Sequence, residues 1–212
     1  MSRPTHAEID LTALRHNLMQ VRKKVGRNCQ VMAVVKADAY GHGIAGVAPA
    51  LVVAGADQFA VAMISEAVEL RSLGIDLPIV VLGGALAGEE SLVVTHDLHP
   101  IVFDLEGAKR LDHAARQAGT VVTCHLKLYT GMGRLGFSAN RLDEALSVLG
   151  SLGNLRLIGV LSHLAVADEP QLVLTETQMT LFHQLAAKVE AAGHRLRYRH
   201  IANSSASYSR AL

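Results

Sequence analysis

Apolar residues along this chain fall into two alternating patterns. One is a set of short, β-rich runs: "VMAVVK" (31–36), "QFAVA" (58–62), "IVVL" (79–82), "LHPIV" (98–102), "VVTCHLKL" (121–128), "LRLIGVLS" (155–162) and "RYRHIA" (197–202). Runs of this length and composition, apolar on both faces, predict strands buried on both sides. The other is an amphipathic pattern between the runs. It opens with Leu11, Leu14, Leu18 and Val21 at three- and four-residue spacing, closed by Gly26. It returns in 43–56, 64–74, 88–96, 104–119, 140–153 and 175–193. The segment ahead of the first helix, "AEIDL", predicts a further short strand. Helix starts are predicted at Asp104 and Asn140, good N-caps, and at Thr175, which forms a capping box with Gln178. Gly74, Gly119, Gly153 and Gly193 are placed to end helices in the left-handed conformation.

Strand and helix in strict alternation imply parallel βαβ units. After the opening segment, seven strands are spaced roughly 20–45 residues apart. A (β/α)8 barrel needs eight and typically spans about 250 residues. The chain reaches Leu212 inside what reads as the helix after strand seven. The expectation is an α/β fold: a TIM-type (β/α)8 barrel, incomplete at its C-terminal end with about seven of eight strands, forming one domain over residues 1–212. An open, doubly wound sheet is the alternative.

Composition narrows the class. A net charge of +1 gives no support for a nucleic-acid or anionic-membrane partner. No apolar run reaches the ~18 residues of a membrane span, and "MSRPTHAEIDL" lacks the apolar segment of a signal peptide. Cys29 and Cys124 have no metal-type spacing and are expected to be reduced, buried thiols of a cytoplasmic protein. With no Trp and only eight Phe and Tyr, the core must be built from Ala, Val, Leu and Ile.

Candidate chemistry lies at the C-terminal ends of the predicted strands, where parallel α/β proteins gather functional groups. Lys36 and Tyr40 follow the first strand. Lys127, Arg134 and the glycine-rich "TGMGRLGF" follow the fifth, His163 the sixth, and Asn203 and Ser204 the seventh. Each has an ordinary structural explanation: Lys36 paired with Asp38, His163 a satisfied core histidine, Lys127 paired with a carboxylate, "NSS" a helix cap. Their coincidence on one rim argues for more. A lysine desolvated by apolar walls becomes a nucleophilic amine able to form a Schiff base with an aldehyde cofactor such as pyridoxal phosphate. Asn203 and Ser204 at a helix start suit a phosphate. An arginine suits a phenolate, and an imidazole can lie flat on a pyridine ring.

The segments "AEIDLTALRHNL", "VVKADAYGHG", "KLYTGMGRLGF", "SHLAVADE" and "HIANSS" resemble, in order and spacing, the signature segments of the alanine racemases. The resemblance implies a pyridoxal phosphate enzyme with a (β/α)8 barrel, a C-terminal β-domain and a homodimer. It implies an isomerase that interconverts L- and D-alanine for peptidoglycan synthesis. Carried over residue by residue, Lys36 would hold the cofactor covalently and act as one of two bases. Tyr40 and Ser204 would contact the phosphate, Leu82 and His163 would line the pyridine ring, and Arg134 would reach the phenolic oxygen. Lys127 would be the lysine often carbamylated in the family, its added carboxylate holding Arg134.

Two departures stand out. Tyr129 replaces a small polar residue in "KLYTGMGR", either crowding the rim beside Arg134 or reaching into water. The eighth strand, the arginine facing the pyridine nitrogen, the β-domain and the partner-donated tyrosine base have no counterpart in these residues. The 212-residue chain is therefore expected to racemise poorly on its own. The alternatives are a barrel-only protein that binds pyridoxal phosphate without catalysis, a related decarboxylase lacking its usual segments here, and a barrel whose Lys36 is structural.

Overall fold

In the computed structural model, which describes residues 5–168 and 173–209, seven strands hydrogen-bond in chain order to form one sheet. They are β1 (Met32–Val34), β2 (Gln58–Val61), β3 (Ile79–Val81), β4 (His99–Val102), β5 (Val122–Lys127), β6 (Leu155–Leu161) and β7 (Tyr198–His200). Every pair is parallel. Each strand falls within an apolar run named above. The helices are α1 (Leu11–Val25), the short turn α2 (Lys36–Gly41), α3 (Ile44–Val53), α4 (Ile64–Ser72), α5 (Glu90–Thr95), α6 (Leu105–Gln117), α7 (Leu142–Ser151), α8 (Val173–Ala191) and α9 (Ser204–Ser209).

The sheet curls. Ala60, Val80, Ile101 and Leu161, from β2, β3, β4 and β6, pack into one small cluster with Met32, Leu82 and Phe103. In a flat sheet β2 and β6 would stand about 19 Å apart at the usual strand spacing. On the outside, α1 lies against both α3 and α9, the helices that follow the first and last strands. The larger core, with Phe59, Ile64, Leu70, Leu126, Leu142 and Phe182 all nearly solvent-free, fills the space between strands and helices. A sheet with one face toward a lumen and one under helices buries both, which is why the strands carry few polar residues. This is the barrel-type arrangement expected from the sequence, with seven strands.

Several local expectations need correction. The segment before α1 is not a strand. Asp10 instead caps the helix, its carboxylate accepting from Thr12 N at 2.8 Å and Ala13 N at 3.1 Å. Asp104 does cap α6, accepting from Gly107 N at 2.7 Å. Asn140 does not cap α7. Its side chain accepts from Ser138 Oγ at 2.5 Å, and the helix starts two residues later. Gly74, Gly119 and Gly193 adopt positive φ as predicted, whereas Gly153 does not, because α7 ends in extended backbone at Leu152. Thr175 and Gln178 form no capping box. They lie inside α8, both buried, because tertiary contacts claim the glutamine side chain. Cys124 is buried, with its thiol pushed up to about 12 by desolvation, but Cys29 is exposed rather than buried.

Candidate active site

The rim formed by the C-terminal strand ends begins with a strained turn. After β1, Ala37, Asp38, Ala39 and Tyr40 all have φ between 52° and 56° and ψ between 38° and 53°, a single turn of left-handed helix built without glycine. Each such residue costs roughly 1–2 kcal/mol, so the surroundings must hold it. Ala37 N donates to Glu66 Oε1 at 2.5 Å, while Ala62 N and Met63 N donate to Glu66 Oε2 at 2.7 and 2.9 Å. One carboxylate therefore ties the turn after β1 to the turn after β2. Asp38 Oδ1 accepts from Ile44 N at 2.6 Å, so Asp38 serves the start of α3 rather than pairing with Lys36. Gly43 N closes the turn onto Asp38 O at 3.0 Å. Strain of this kind in a rim segment makes it a candidate functional position.

The turn presents Lys36 and Tyr40 together, with Lys36 Nζ 5.9 Å from the centroid of the Tyr40 ring. Lys36 is half-buried, not enclosed by apolar walls as the sequence led one to expect. The more enclosed amine is Lys127, the last residue of β5. It is 8% exposed and lowered to about 8, first by desolvation and then by the Arg134 guanidinium. Among the described residues no carboxylate pairs with it.

Arg134 reaches that position because the loop after β5 doubles back. Phe137 N donates to Lys127 O and Tyr129 N to Phe137 O, both at 2.9 Å. The return requires Gly136, whose φ is 120° and whose added Cβ would lie 2.9 Å from both Lys127 O and Lys127 Cγ. Lys127, Tyr129, Thr130, Met132, Arg134 and Ser162 line a small shared cleft. Tyr129 is 37% exposed, so it borders this cleft and meets solvent at once.

His163 sits at the centre of these cations. Its imidazole is held below the ordinary histidine range by desolvation first, then by Lys127, Arg134 and Lys36. A half-buried ring thus lies within electrostatic reach of three positive groups, two from the end of β5 and its loop and one from the turn after β1. Leu82, Asn203 and Ser204 join the rim by strand-end position. Leu82 packs against the lumen cluster beyond β3. Asn203 Oδ1 accepts from Ala206 N at 3.0 Å, which uses its side chain as the cap of α9, and Ser204 is exposed at the start of that helix.

Sequence reasoning missed two groups. Glu66 reads as an ordinary first-turn glutamate of α4, and its link to the left-handed turn spans 29 residues. The second group is a column of rings inside the sheet. His125 Nδ1 and His200 Nε2 are 2.9 Å apart. His125 stacks on Tyr198 at 5.8 Å and lies 5.9 Å from His99. His125 and His200 are lowered to about 2 and about 4, burial being the largest cause in each case, and Lys127 adds to the effect on His200. Only the parallel register of β4 to β7 brings these residues together.

Fold and rim together define a parallel α/β barrel segment whose lysine, arginine and neutral histidine converge at the strand C-termini. The family model described as "Alanine racemase, N-terminal domain" matches residues 9–211. The chain belongs to the alanine racemase family. It is 43% identical to the alanine racemase of Geobacter sp. (strain M21) over 97% of this chain and 55% of that protein. It is 42% identical to that of Geobacter sulfurreducens over 98% and 55%. Among solved structures, the alanine racemase from D-cycloserine producing Streptomyces lavendulae superposes with a TM-score of 0.93 at 35% identity, over 98% of this chain and 56% of that one. The Bacillus anthracis alanine racemase with bound L-Ala-P superposes with a TM-score of 0.89 at 30% identity, covering 97% and 54%. The chain spans about half the length of the relatives it matches.

Proposed function

We propose that this chain is the barrel portion of a pyridoxal phosphate-dependent alanine racemase, in which Lys36 carries the cofactor and moves the substrate proton on one face. The observation that carries this reading is that one strand-end rim holds Lys36 beside the Tyr40 ring, Lys127 and Arg134 lining one cleft, and His163 within electrostatic reach of all three. That donor set fits the group. An amine is available for an aldehyde, and a guanidinium for an anionic oxygen. The uncharged imidazole, with Leu82, would lie against the pyridine ring. The hydroxyls of Tyr40 and Ser204, with the start of α9 capped by Asn203, would take the phosphate.

Bound there, pyridoxal phosphate supplies an electron sink that makes the Cα proton of an amino acid acidic. Lys36 Nζ takes or returns that proton on its own face. Inversion needs a second base on the opposite face, within hydrogen-bond reach of Cα. In this reading the second base belongs to the other half of the protein in a homodimer. The product, D-alanine, would feed peptidoglycan synthesis in the cytoplasm. No helix among the described residues is long and apolar enough to cross a membrane.

Lys36 is expected to be the residue labelled when pyridoxal phosphate is added and fixed with borohydride, with the label mapped by peptide mass. Lys36→Ala is expected to abolish it. Label confined to surface lysines, with Lys36 unmodified, would sink the cofactor assignment. Release of pyridoxal phosphate to an apo-enzyme, with no D-alanine formed by the full-length protein, would favour the non-catalytic binding role.

Lys127 carries a second expectation. A buried amine lowered to about 8, beside Arg134 and without a carboxylate, is poised to add CO2. The ammonium first gives one proton to solvent; the neutral Nζ then bonds to the carbon and loses a second proton to solvent, so the positive charge becomes a negative one facing the guanidinium. A carbamate carbon resonance should appear on equilibration with 13C-bicarbonate at pH 8 and vanish in Lys127→Ala. The same spectrum in both proteins would rule the modification out.

A further inference from the structure

We propose that Gln178 is a positioning residue that locks the loop carrying His163 to the loop carrying Arg134, setting the ring-facing imidazole and the guanidinium in one arrangement. The inference rests on the cofactor reading only for what those two side chains face. Gln178 lies in the second turn of α8, behind the rim, and is completely buried. Its carboxamide makes a complete set of bonds. Oε1 accepts from Ala165 N at 2.9 Å, and Nε2 donates to His163 O at 3.0 Å and, more weakly, to Thr130 Oγ1 at 3.4 Å. Thr130 Oγ1 lies 2.6 Å from Ser162 Oγ, which donates to Leu128 O at 2.9 Å.

Bond directions follow from these partners. Ser162 spends its hydrogen on the Leu128 carbonyl, so Thr130 donates to Ser162 and must accept from Gln178. A directional chain thus runs from Gln178 through Thr130 and Ser162 to the carbonyl of Leu128, just past the end of β5, while the second amide hydrogen pins the backbone at His163. Thr130 and Ser162 are also buried, at 5% and 7% exposure. The glutamine stem lies against Gly131 of the Arg134 loop. A flipped amide would set oxygen against the His163 carbonyl, so one orientation is enforced.

The alternative is a plain packing role, and the test separates the two. Gln178→Met keeps the length and volume but deletes the amide bonds. Phe182→Leu perturbs the next turn of the same buried face and removes no hydrogen bond to either loop. His163 is followed by NMR titration in the folded proteins; the charged groups around it are Lys127, Arg134 and Lys36. In Gln178→Met, His163 should titrate higher, back toward 6.5, as the loosened loop admits water. Amide exchange at Ala165 should quicken ~10-fold or more, and the dissociation constant for pyridoxal phosphate should rise ~10-fold, the scale of one lost buried hydrogen bond. Phe182→Leu should lower the melting temperature and leave all three readouts in place. Should Gln178→Met fail to fold, Thr130→Val removes one branch and should shift His163 in the same direction by less. The proposal fails if Gln178→Met titrates and exchanges like the parent, or if Phe182→Leu moves both readouts equally. If even the parent binds no pyridoxal phosphate, the cofactor reading fails, while titration and exchange still decide the role of Gln178.

Discussion

Gly159→Ala is expected to cost a large part of the stability of this fold. A Cβ at residue 159 would lie 2.3 Å from His125 Nδ1 and 2.9 Å from its Cε1. His125 cannot step aside. It is fully buried, its Nδ1 engages His200 at 2.9 Å, and its ring is stacked on Tyr198. Relief requires breaking the imidazole pair or opening the β5–β6 register, where a bulge already sits between Cys124 and His125. Overpacking of a core costs about 1–3 kcal/mol, and a stranded buried polar group a similar amount. The sum, about 2–6 kcal/mol, is a large part of the 5–15 kcal/mol typical of a whole domain. A urea midpoint by circular dichroism measures it. The cause is checked by the double variant Gly159→Ala/His125→Ala, which should be less destabilised than the two single changes added together. A midpoint within experimental error of the parent for Gly159→Ala would mean that the imidazole column is looser than its contacts indicate.

Mild acid is expected to be the second large lever. His125 and His200 are held to about 2 and about 4 in the fold, against 6.5 when unfolded. Between pH 6.5 and 4 the unfolded chain binds protons that the folded chain refuses, so stability is present above about 6.5 and drains as pH falls. Protonated His125 would carry a hydrogen on both ring nitrogens, and among the described residues its Nε2 has no partner. Each fully refused proton costs about 1.4 kcal/mol per pH unit. From pH 6.5 to 5, above the carboxylate range, His125 contributes about 2 kcal/mol. His200 adds less, because it keeps part of its surface in solvent while protein surrounds most of its volume. His99, His163 and His194 are also lowered and act in the same direction. Unfolding free energy measured across this window should fall with a slope of more than one proton, and His200→Gln should make that slope shallower. Stability that stays level from pH 6.5 to 5 would show that the interior histidines are protonated within the fold.

Both predictions concern residues whose importance cannot be read from the chain. "VVTCHLKL" and "LRLIGVLS" show two apolar strands. Nothing in either tells that Gly159 must lack a side chain so that His125, on the neighbouring strand, can exist. The opposite holds for Lys36, Arg134 and His163. Parallel strands deliver their C-terminal ends to one rim, so strand order alone was enough to place these residues together. Intermediate cases turn on competition for one side chain. Gln178 has the spacing of a capping box, yet buried partners on two loops outcompete the local helix N–H groups. Asp10 looks like the end of a strand, yet with no neighbouring strand to pair with, its carboxylate starts a helix.

The amino-acid sequence by itself determined the alternation of apolar strands and amphipathic helices, the parallel pairing of the strands and the strand-end origin of the candidate site residues. These follow from periodicity, and periodicity is local. Tertiary structure alone decided the left-handed turn held by Glu66, the neutral histidine column, the directional bonds of Gln178, and which lysine is desolvated. Those depend on how much water is excluded and which polar partners lie within about 3 Å, and both are fixed only when segments distant in the chain are packed together.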